Sequence, residues 1–299
     1  MSLEETLRIW SQRPSASEQT RIDRTERMVR DAISKSSDPK IRAATIFAKG
    51  SVKMNTNIRA NSDIDICIQA GNAFFTEYPA NTNNAYFGNH SIEYTFQEFR
   101  CGIENALRDH FGYEDVDISG SKAIRVRKTI SDSRIDADIV PAFEYRFYNI
   151  NKSWLSGIEI KPKNNPTHSI INWPHHNYEN SLAKHENTSR RYRKMVRIFK
   201  RIREAMKESN ESFTHDAQSF LIESLLWNVP NEHFGNVHYT DDVANIINYL
   251  LQQLSSDLNV TEWGEVNEFK YLFRDQQKWS RDGALAFISN ANLYLGALV

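Results

Sequence analysis

Two aspartates stand two residues apart at the start of an apolar run, and this spacing could do chemistry. Asp63 and Asp65 open a stretch in which Ile64, Ile66 and Ile68 alternate with other residues. The alternation predicts a strand, in which residues i and i+2 share a face with their Cα atoms about 7 Å apart. Two carboxylates this close repel each other unless a cation neutralises them. Carboxylates of this kind hold Mg²⁺ in phosphoryl-transfer sites.

A Gly-Ser pair precedes these aspartates. Gly50 and Ser51 follow the apolar run 43–48, which predicts another strand, and eleven residues separate Ser51 from Asp63. Glycine lets the backbone approach a phosphate, serine adds a hydroxyl donor, and a helix starting here would offer free N–H groups to an anion. Either motif alone is common in turns. Their combination predicts Gly50 and Ser51 as nucleotide-binding residues.

A second pair of aspartates lies in a later predicted strand. Residues 134–143 read Arg-Ile-Asp-Ala-Asp-Ile-Val-Pro-Ala-Phe, and a period of two places Asp136 and Asp138 on one face. The spacing alone leaves the two aspartates nearly equal as candidates.

The chain resembles the bacterial cGAS/DncV-like nucleotidyltransferases, the CD-NTases, within the polymerase-β-type superfamily, and among them the E clade. The resemblance rests on four segments that occur in the family's order over about 180 residues: 50–66 (Gly-Ser…Thr-Asn-Ile-Arg…Ser-Asp-Ile-Asp-Ile), 138–143, 196–200 and 219–230. It implies that Asp63, Asp65 and Asp138 are the catalytic metal ligands. They would hold two Mg²⁺ ions, with Mn²⁺ as a substitute, while Asp136 lies outside the ligand set or faces solvent.

The resemblance also implies nucleotide-binding residues in the C-terminal half. Lys200 is expected to bind the triphosphate, with Arg197 as the other candidate, because both flank the apolar stripe of a predicted helix over 188–207. Ser219 is expected on the triphosphate in the first turn of the next helix, predicted to start at Asp216. Phe220 is expected to stack on a base, and a core phenylalanine is the alternative.

Asn172 is the candidate for base choice. Enzymes like those of the E clade often accept UTP, and an amide can satisfy both the N–H and the carbonyl of a uracil edge. Asn172 is followed by Trp173 and Pro174, which could fix its position, and an ordinary loop asparagine is the alternative.

Template-independent nucleotidyl transfer is the activity that the resemblance implies. Two nucleoside triphosphates (ATP, UTP or GTP) would be joined into a cyclic dinucleotide with release of pyrophosphate. The product would be a second messenger of anti-phage (CBASS) signalling, read by a separate effector protein. Two alternatives stay open: linear oligonucleotide synthesis or protein adenylylation by the same metal site, and a catalytically silent nucleotide- or nucleic-acid-binding sensor.

The amino-acid composition limits the kinds of partner that we expect for the protein. The 299 residues are 40% hydrophobic and 25% charged with a net charge of −1, whereas proteins that grip nucleic acid are usually far more basic. Two cysteines make neither a disulfide framework nor a cysteine-rich zinc site. No stretch is typical of a signal peptide or a membrane span. We expect a cytoplasmic monomer that requires no membrane and no nucleic acid.

Periodicity predicts an α+β fold. It indicates a mixed sheet of at least four strands with helices on one side, and only helices from about residue 188 onward. Segment 71–91 is predicted as a long loop, and segment 157–187, rich in Pro, Asn and His, as a connection between lobes. The predicted domains are 1–156 and 157–299. By resemblance they form a polymerase-β-like core and a helical C-terminal lobe in a two-lobed cage.

Overall fold

A computed structural model describes residues 1–58, 63–90, 94–131, 133–209, 217–274 and 277–297. The strands are β1 Thr45–Lys49, β2 Ile64–Glu77, β3 Val116–Asp117, β4 Ile124–Val126, β5 Ala137–Tyr148, β6 Trp154–Ile160 and β7 Ile170–Asn172. The helices are α1 Leu3–Trp10, α2 Ala16–Ser34, α3 Pro39–Arg42, α4 Gly50–Met54, α5 Asn84–Phe87, α6 Phe96–Phe111, α7 Pro174–Asn187, α8 Tyr192–Ser209, α9 Ser219–Trp227, α10 Tyr239–Leu254, α11 Asp257–Val260 and α12 Arg281–Gly296, with a 3₁₀ turn at Asn231–His233.

The chain forms two compact units. The sheet unit comprises Ser15–Lys53 and Asn61–His175, and the helical unit comprises Met1–Pro14, Met54–Ala60 and His176–Val299. The chain therefore changes unit between His175 and His176 rather than at the predicted boundary of 156 and 157. The reason is that β6 and β7 extend the sheet through antiparallel pairing with β5 and with each other.

The sheet unit is built on a mixed seven-stranded sheet in the order β1-β2-β5-β4-β3, with β6 beside β5 and β7 beside β6. β2 runs antiparallel to β1 and parallel to β5. Ile64, Ile66 and Ile68 are fully buried, as their alternation predicts, and they belong to one apolar core with residues of α2 and α6. The α+β fold with helices on this face is confirmed.

Local sequence signals set the starts of the two long helices of this unit. Ser15 and Glu18 form a capping box at the start of α2, with the Ser15 hydroxyl accepting from the Glu18 N–H. Thr95 and Glu98 make the same arrangement at α6, which begins at Phe96.

The helical unit has its own core. α8 places Tyr192, Val196, Phe199 and Ile202 fully inside it, which confirms the predicted stripe. α9, α10 and α12 pack around this helix, and Leu7 of α1 is fully buried in the same cluster. In the parts of the chain that the structure describes, no helix is both long and apolar enough to span a membrane.

Two predictions of irregular structure are wrong. β2 continues through Glu77 past a bulge after Gln69, so the first part of the predicted 71–91 loop is strand. β5 continues through Pro141 to Tyr148. Pro141 lies between Ile139, where pairing with β4 ends, and Phe143, where pairing with β6 begins, so its missing N–H removes no ladder bond on that side. Segment 157–187 holds most of β6, all of β7 and α7.

His185, in the last turn of α7, couples the stability of the helical unit to pH. Its Nδ1 accepts a hydrogen bond of 3.3 Å from the backbone N–H of Arg193. Burial, followed by the positive charges of Arg193 and Arg197, lowers the pKa of His185 from 6.5 to about 4. The folded chain therefore holds this imidazole in its neutral form more strongly than the unfolded chain does.

Acidification should destabilise the protein through His185. Because the folded pKa lies below the unfolded one, the contribution is complete above pH 6.5 and is lost as pH falls toward 4. For a half-buried group we expect about 1–2 kcal/mol. Thermal midpoints measured at pH 7.5 and pH 5 should fall several degrees less in His185→Asn than in the wild type, whereas the exposed-site control His168→Asn should behave as wild type. Equal falls in all three proteins would contradict the assignment.

Candidate active site

The pairing of β2 with β5 brings the predicted acids together. Asp65 lies directly beside Asp138 in the parallel register, and neighbouring residues at one register project from the same face of a sheet. Asp63 immediately precedes β2, two residues from Asp65. This face is opposite to the one that Ile64 and Ile66 bury, so the carboxylates keep 37–57% of their side-chain surface exposed.

Gly50 lies against one of these acids. Its φ is +62°, in the left-handed region, and a Cβ built on it would come within 2.2 Å of the Asp65 Oδ2. Any side chain at this position would therefore push the Asp65 carboxylate aside and strain the backbone. α4 begins at Gly50, with Ser51 in its first turn. The Gly-Ser pair and the aspartates are thus brought together as their spacing indicates.

Arg125 is a cation on this face that the sequence reasoning missed as a site residue. From β4 it reaches three carboxylates: its Nη2 lies 3.2 Å from Asp63 Oδ2 and 3.0 Å from Asp136 Oδ2, and its Nη1 lies 3.8 Å from Asp138 Oδ1. The alternation of Arg125 with Ile124 and Val126 is typical of a strand, but the partner of that strand cannot be read from the alternation.

Asp136 and Asp138, which spacing leaves nearly equal, have different surroundings. Asp136 Oδ1 accepts from the backbone N–H of Lys128 at 2.7 Å, and its Oδ2 faces Arg125. Burial alone raises the pKa of Asp136, but these two partners lower it below its usual range. Burial raises the pKa of Asp138; Arg125 opposes the rise, and the charges of Asp65 and Asp63 add to it. Of these two aspartates, Asp138 is therefore the one whose negative charge is less compensated.

The donor chemistry of Asp63, Asp65 and Asp138 fits a hard divalent cation, since all three offer carboxylate oxygens on one face and Gly50 leaves room behind Asp65. Over the described ranges, no three acidic, histidine or cysteine side chains are already gathered as ligands. In this structure the Arg125 guanidinium, which pairs with two of the three carboxylates, supplies positive charge to this face of the sheet.

Lys200 and Arg197 are both buried within the helical unit, with 2% and 4% of their surface exposed. The Lys200 Nζ lies 2.6 Å from Glu223 Oε1 and within 3.3 Å of two oxygens of Thr56, which matches its three donors. Burial lowers the pKa of Lys200, and Glu223 opposes this. Arg197 donates to the backbone carbonyls of Ser11 and Asn55. The triphosphate role of Lys200 stays a prediction, and its observed contacts fix the 55–58 segment.

Ser219 and Phe220 begin α9. The helix starts at Ser219 after an N-cap at Gln218, and Asp216 lies outside the described residues. The Ser219 hydroxyl lies 3.3 Å from Arg203 Nη1, so a cation already accompanies it. Phe220 is half-buried, with its ring centroid 6.1 Å from that of Trp279. Their nucleotide-binding roles stay predictions.

Asn172 is the last residue of β7 rather than part of a loop. Its backbone is paired with Ile158 of β6, and its side chain is half-buried. Trp173, which follows it, is 6% exposed and packs edge-on against Tyr145 with ring centroids 5.7 Å apart. The pairing with β6 and the packing of Trp173 therefore hold Asn172 in position, and its base-reading role stays a prediction.

Known proteins resemble the chain over nearly its whole length. Residues 179–296 match the cGAS/DncV-like nucleotidyltransferase C-terminal helical domain. A cyclic dipyrimidine nucleotide synthase CdnE of Cecembia lonarensis is 35% identical over 93% of this chain and 92% of its own, and one of Legionella pneumophila is 34% identical over 98% and 97%. The Rhodothermus marinus CdnE c-UMP-AMP synthase, solved with Apcpp and Upnpp, superposes with a TM-score of 0.85 at 28% identity, covering 99% of this chain and 97% of that one.

These likenesses extend over both units. The chain belongs to the cGAS/DncV-like nucleotidyltransferases, among the CdnE proteins of the E clade.

Proposed function

We propose that the protein joins two nucleoside triphosphates into a cyclic dinucleotide, with release of two pyrophosphates, and that it accepts a pyrimidine nucleotide. The observation that carries this proposal is the side-by-side placement of Asp65 and Asp138, with Gly50 against Asp65. The names of the relatives support the product class, since two are dipyrimidine synthases and one makes c-UMP-AMP.

Asp63, Asp65 and Asp138 are the residues that we propose to hold Mg²⁺. When bound, Mg²⁺ lowers the pKa of an attacking ribose hydroxyl and offsets charge on the α-phosphate and the leaving pyrophosphate. The chain itself contributes position and charge. The exposed faces of the three aspartates are available to a cation, and the absence of a side chain at Gly50 leaves room for the Asp65 carboxylate.

We propose that the hydroxyls of Ser51 and Ser219 contact phosphates and that the ring of Phe220 stacks on a base. For Lys200 the triphosphate role stays a proposal, and in this structure its Nζ contacts Glu223 and Thr56. The product would act as a second messenger that a separate effector recognises in anti-phage defence, as family membership suggests.

Product analysis tests the proposed reaction. Purified protein with Mg²⁺ should convert labelled NTPs, given singly and in pairs, into a phosphatase-resistant product with the mass of a cyclic dinucleotide. The double variant Asp63→Asn and Asp65→Asn should stay folded, because exposed ion pairs contribute only about 0–1 kcal/mol each, and should make no product. Vigorous synthesis by a folded double variant would refute the aspartate site, and a phosphatase-sensitive product would favour linear synthesis.

The two late aspartates should differ in their effect on rate. Asp138→Asn should slow product formation about a hundredfold or more, because it removes a metal-holding charge at the centre of the face. Asp136→Asn should cost far less, because Lys128 and Arg125 already engage both oxygens of Asp136. Initial rates at saturating Mg²⁺ and NTP measure both variants, and the reverse ranking would make Asp136 the ligand.

Asn172→Ser should shift base choice. Losing an amide that pairs with a uracil edge costs about 1–3 kcal/mol, so UTP use relative to ATP should fall about fivefold or more at unchanged total turnover. The ratio is measured by competition between the two labelled nucleotides. Asn245→Ser, on an exposed face of α10, is the matched control and should keep the wild-type ratio. An unchanged ratio in Asn172→Ser, or a wild type that makes no uridine product, would exclude Asn172 from base recognition.

A further inference from the structure

Four charged side chains stand at one register across four neighbouring strands. Lys49 of β1 is opposite Asp65 of β2, Asp65 is beside Asp138 of β5, and Asp138 is opposite Arg125 of β4. The two carboxylates in the middle are therefore flanked by one cation on each side. The Lys49 Nζ is 3.9 Å from Asp65 Oδ1, a loose pairing, whereas Arg125 makes closer contacts with Asp63 and Asp136.

Arg125 differs from the arginines that hold this fold together. Arg100 is fully buried and donates to the backbone carbonyls of Gly120 and Ser121. The Arg125 side chain is 42% exposed, and it contacts the carboxylates of Asp63, Asp136 and Asp138. Ion pairs at this exposure contribute about 0–1 kcal/mol, so stabilising the sheet does not account for the arrangement. Its main effect is to neutralise negative charge.

Arg125 and a divalent cation require the same carboxylates. Asp63 and Asp138 face the guanidinium in this structure, and both belong to the proposed metal-holding set. Asp136 is different, because its Oδ1 accepts a hydrogen bond from the Lys128 N–H while its Oδ2 faces Arg125. It can keep Arg125 as a partner when Asp63 and Asp138 turn to a metal ion. This gives Asp136 a function that a solvent-facing aspartate lacks.

We propose that Arg125 is a built-in counter-ion that competes with the divalent cation for Asp63 and Asp138 and is retained by Asp136, so that it sets the metal affinity of the site. This inference rests on the proposed metal site. It predicts that removal of the guanidinium tightens metal binding, because the repulsion between two cations is removed while the carboxylates remain.

Binding of Mn²⁺ alone, followed by calorimetry or by the EPR signal of free Mn²⁺, tests the inference without any reaction. Arg125→Gln should bind Mn²⁺ about fivefold or more tightly than the wild type. Arg127→Gln is the matched control, since Arg127 is two residues away, similarly exposed at 54%, and paired with Asp117 instead. It should bind within about twofold of the wild type. Asp138→Asn should lose the site.

A second readout is the rise in thermal midpoint between EDTA and saturating MnCl₂, which stays usable if Arg125→Gln is unstable without metal. The rise should be larger in Arg125→Gln than in the wild type and in Arg127→Gln. Equal or weaker Mn²⁺ binding by Arg125→Gln, with Asp138→Asn still losing the site, would overturn the counter-ion role and leave the proposed function standing. Unchanged Mn²⁺ binding by Asp138→Asn would instead refute the metal site itself.

Discussion

Repulsion between Asp65 and Asp138 is the constraint on which the sheet unit depends. Their parallel register places two negative charges on adjacent strands, which lie about 5 Å apart, and like charges on neighbouring strands cost free energy. The surrounding residues can be understood as responses to that cost. Lys49 and Arg125 flank the pair, and the face stays open to solvent. The result is an acidic surface that can bind a cation from solution.

Exposure separates the exchangeable ion pairs of this protein from the permanent ones. Asp63 and Asp138 are 57% and 37% exposed, so water and ions can replace the guanidinium at these two carboxylates at little cost. Lys200 and Glu223 are 2% and 5% exposed, and breaking such a pair by removing one partner typically costs about 3–5 kcal/mol. Ion pairs between the same kinds of group therefore have different effects. Those of Arg125 in the sheet unit can be exchanged, whereas the buried pair of Lys200 and Glu223 in the helical unit holds Thr56 in place.

Features that depend on neighbouring residues could be predicted from the sequence. Contacts between segments that are distant along the chain could not. The alternation around Asp65 depends on neighbouring residues, and the strand that it predicts is present. The sequence predicts a loop over 71–91, yet Gly71 lies within β2, where a Cβ would come within 2.5 Å of the Ala43 carbonyl oxygen. The role of Arg125 depends on the register of β4 against β5. The partners of Lys200 lie 23 and 144 residues away along the chain.

The division of the chain into units has a consequence for synthesis on the ribosome. The helical unit takes its first pieces from Met1–Pro14 and Met54–Ala60, yet its central helix α8 begins only at Tyr192. Leu7 and Thr56 are fully buried in the folded protein, so they remain exposed to solvent while more than a hundred further residues are synthesised. The sheet unit can complete its strands by His175, before α8 has been translated. The order of translation thus favours an aspartate face that forms first, with the helical unit closing only as the last third of the chain emerges.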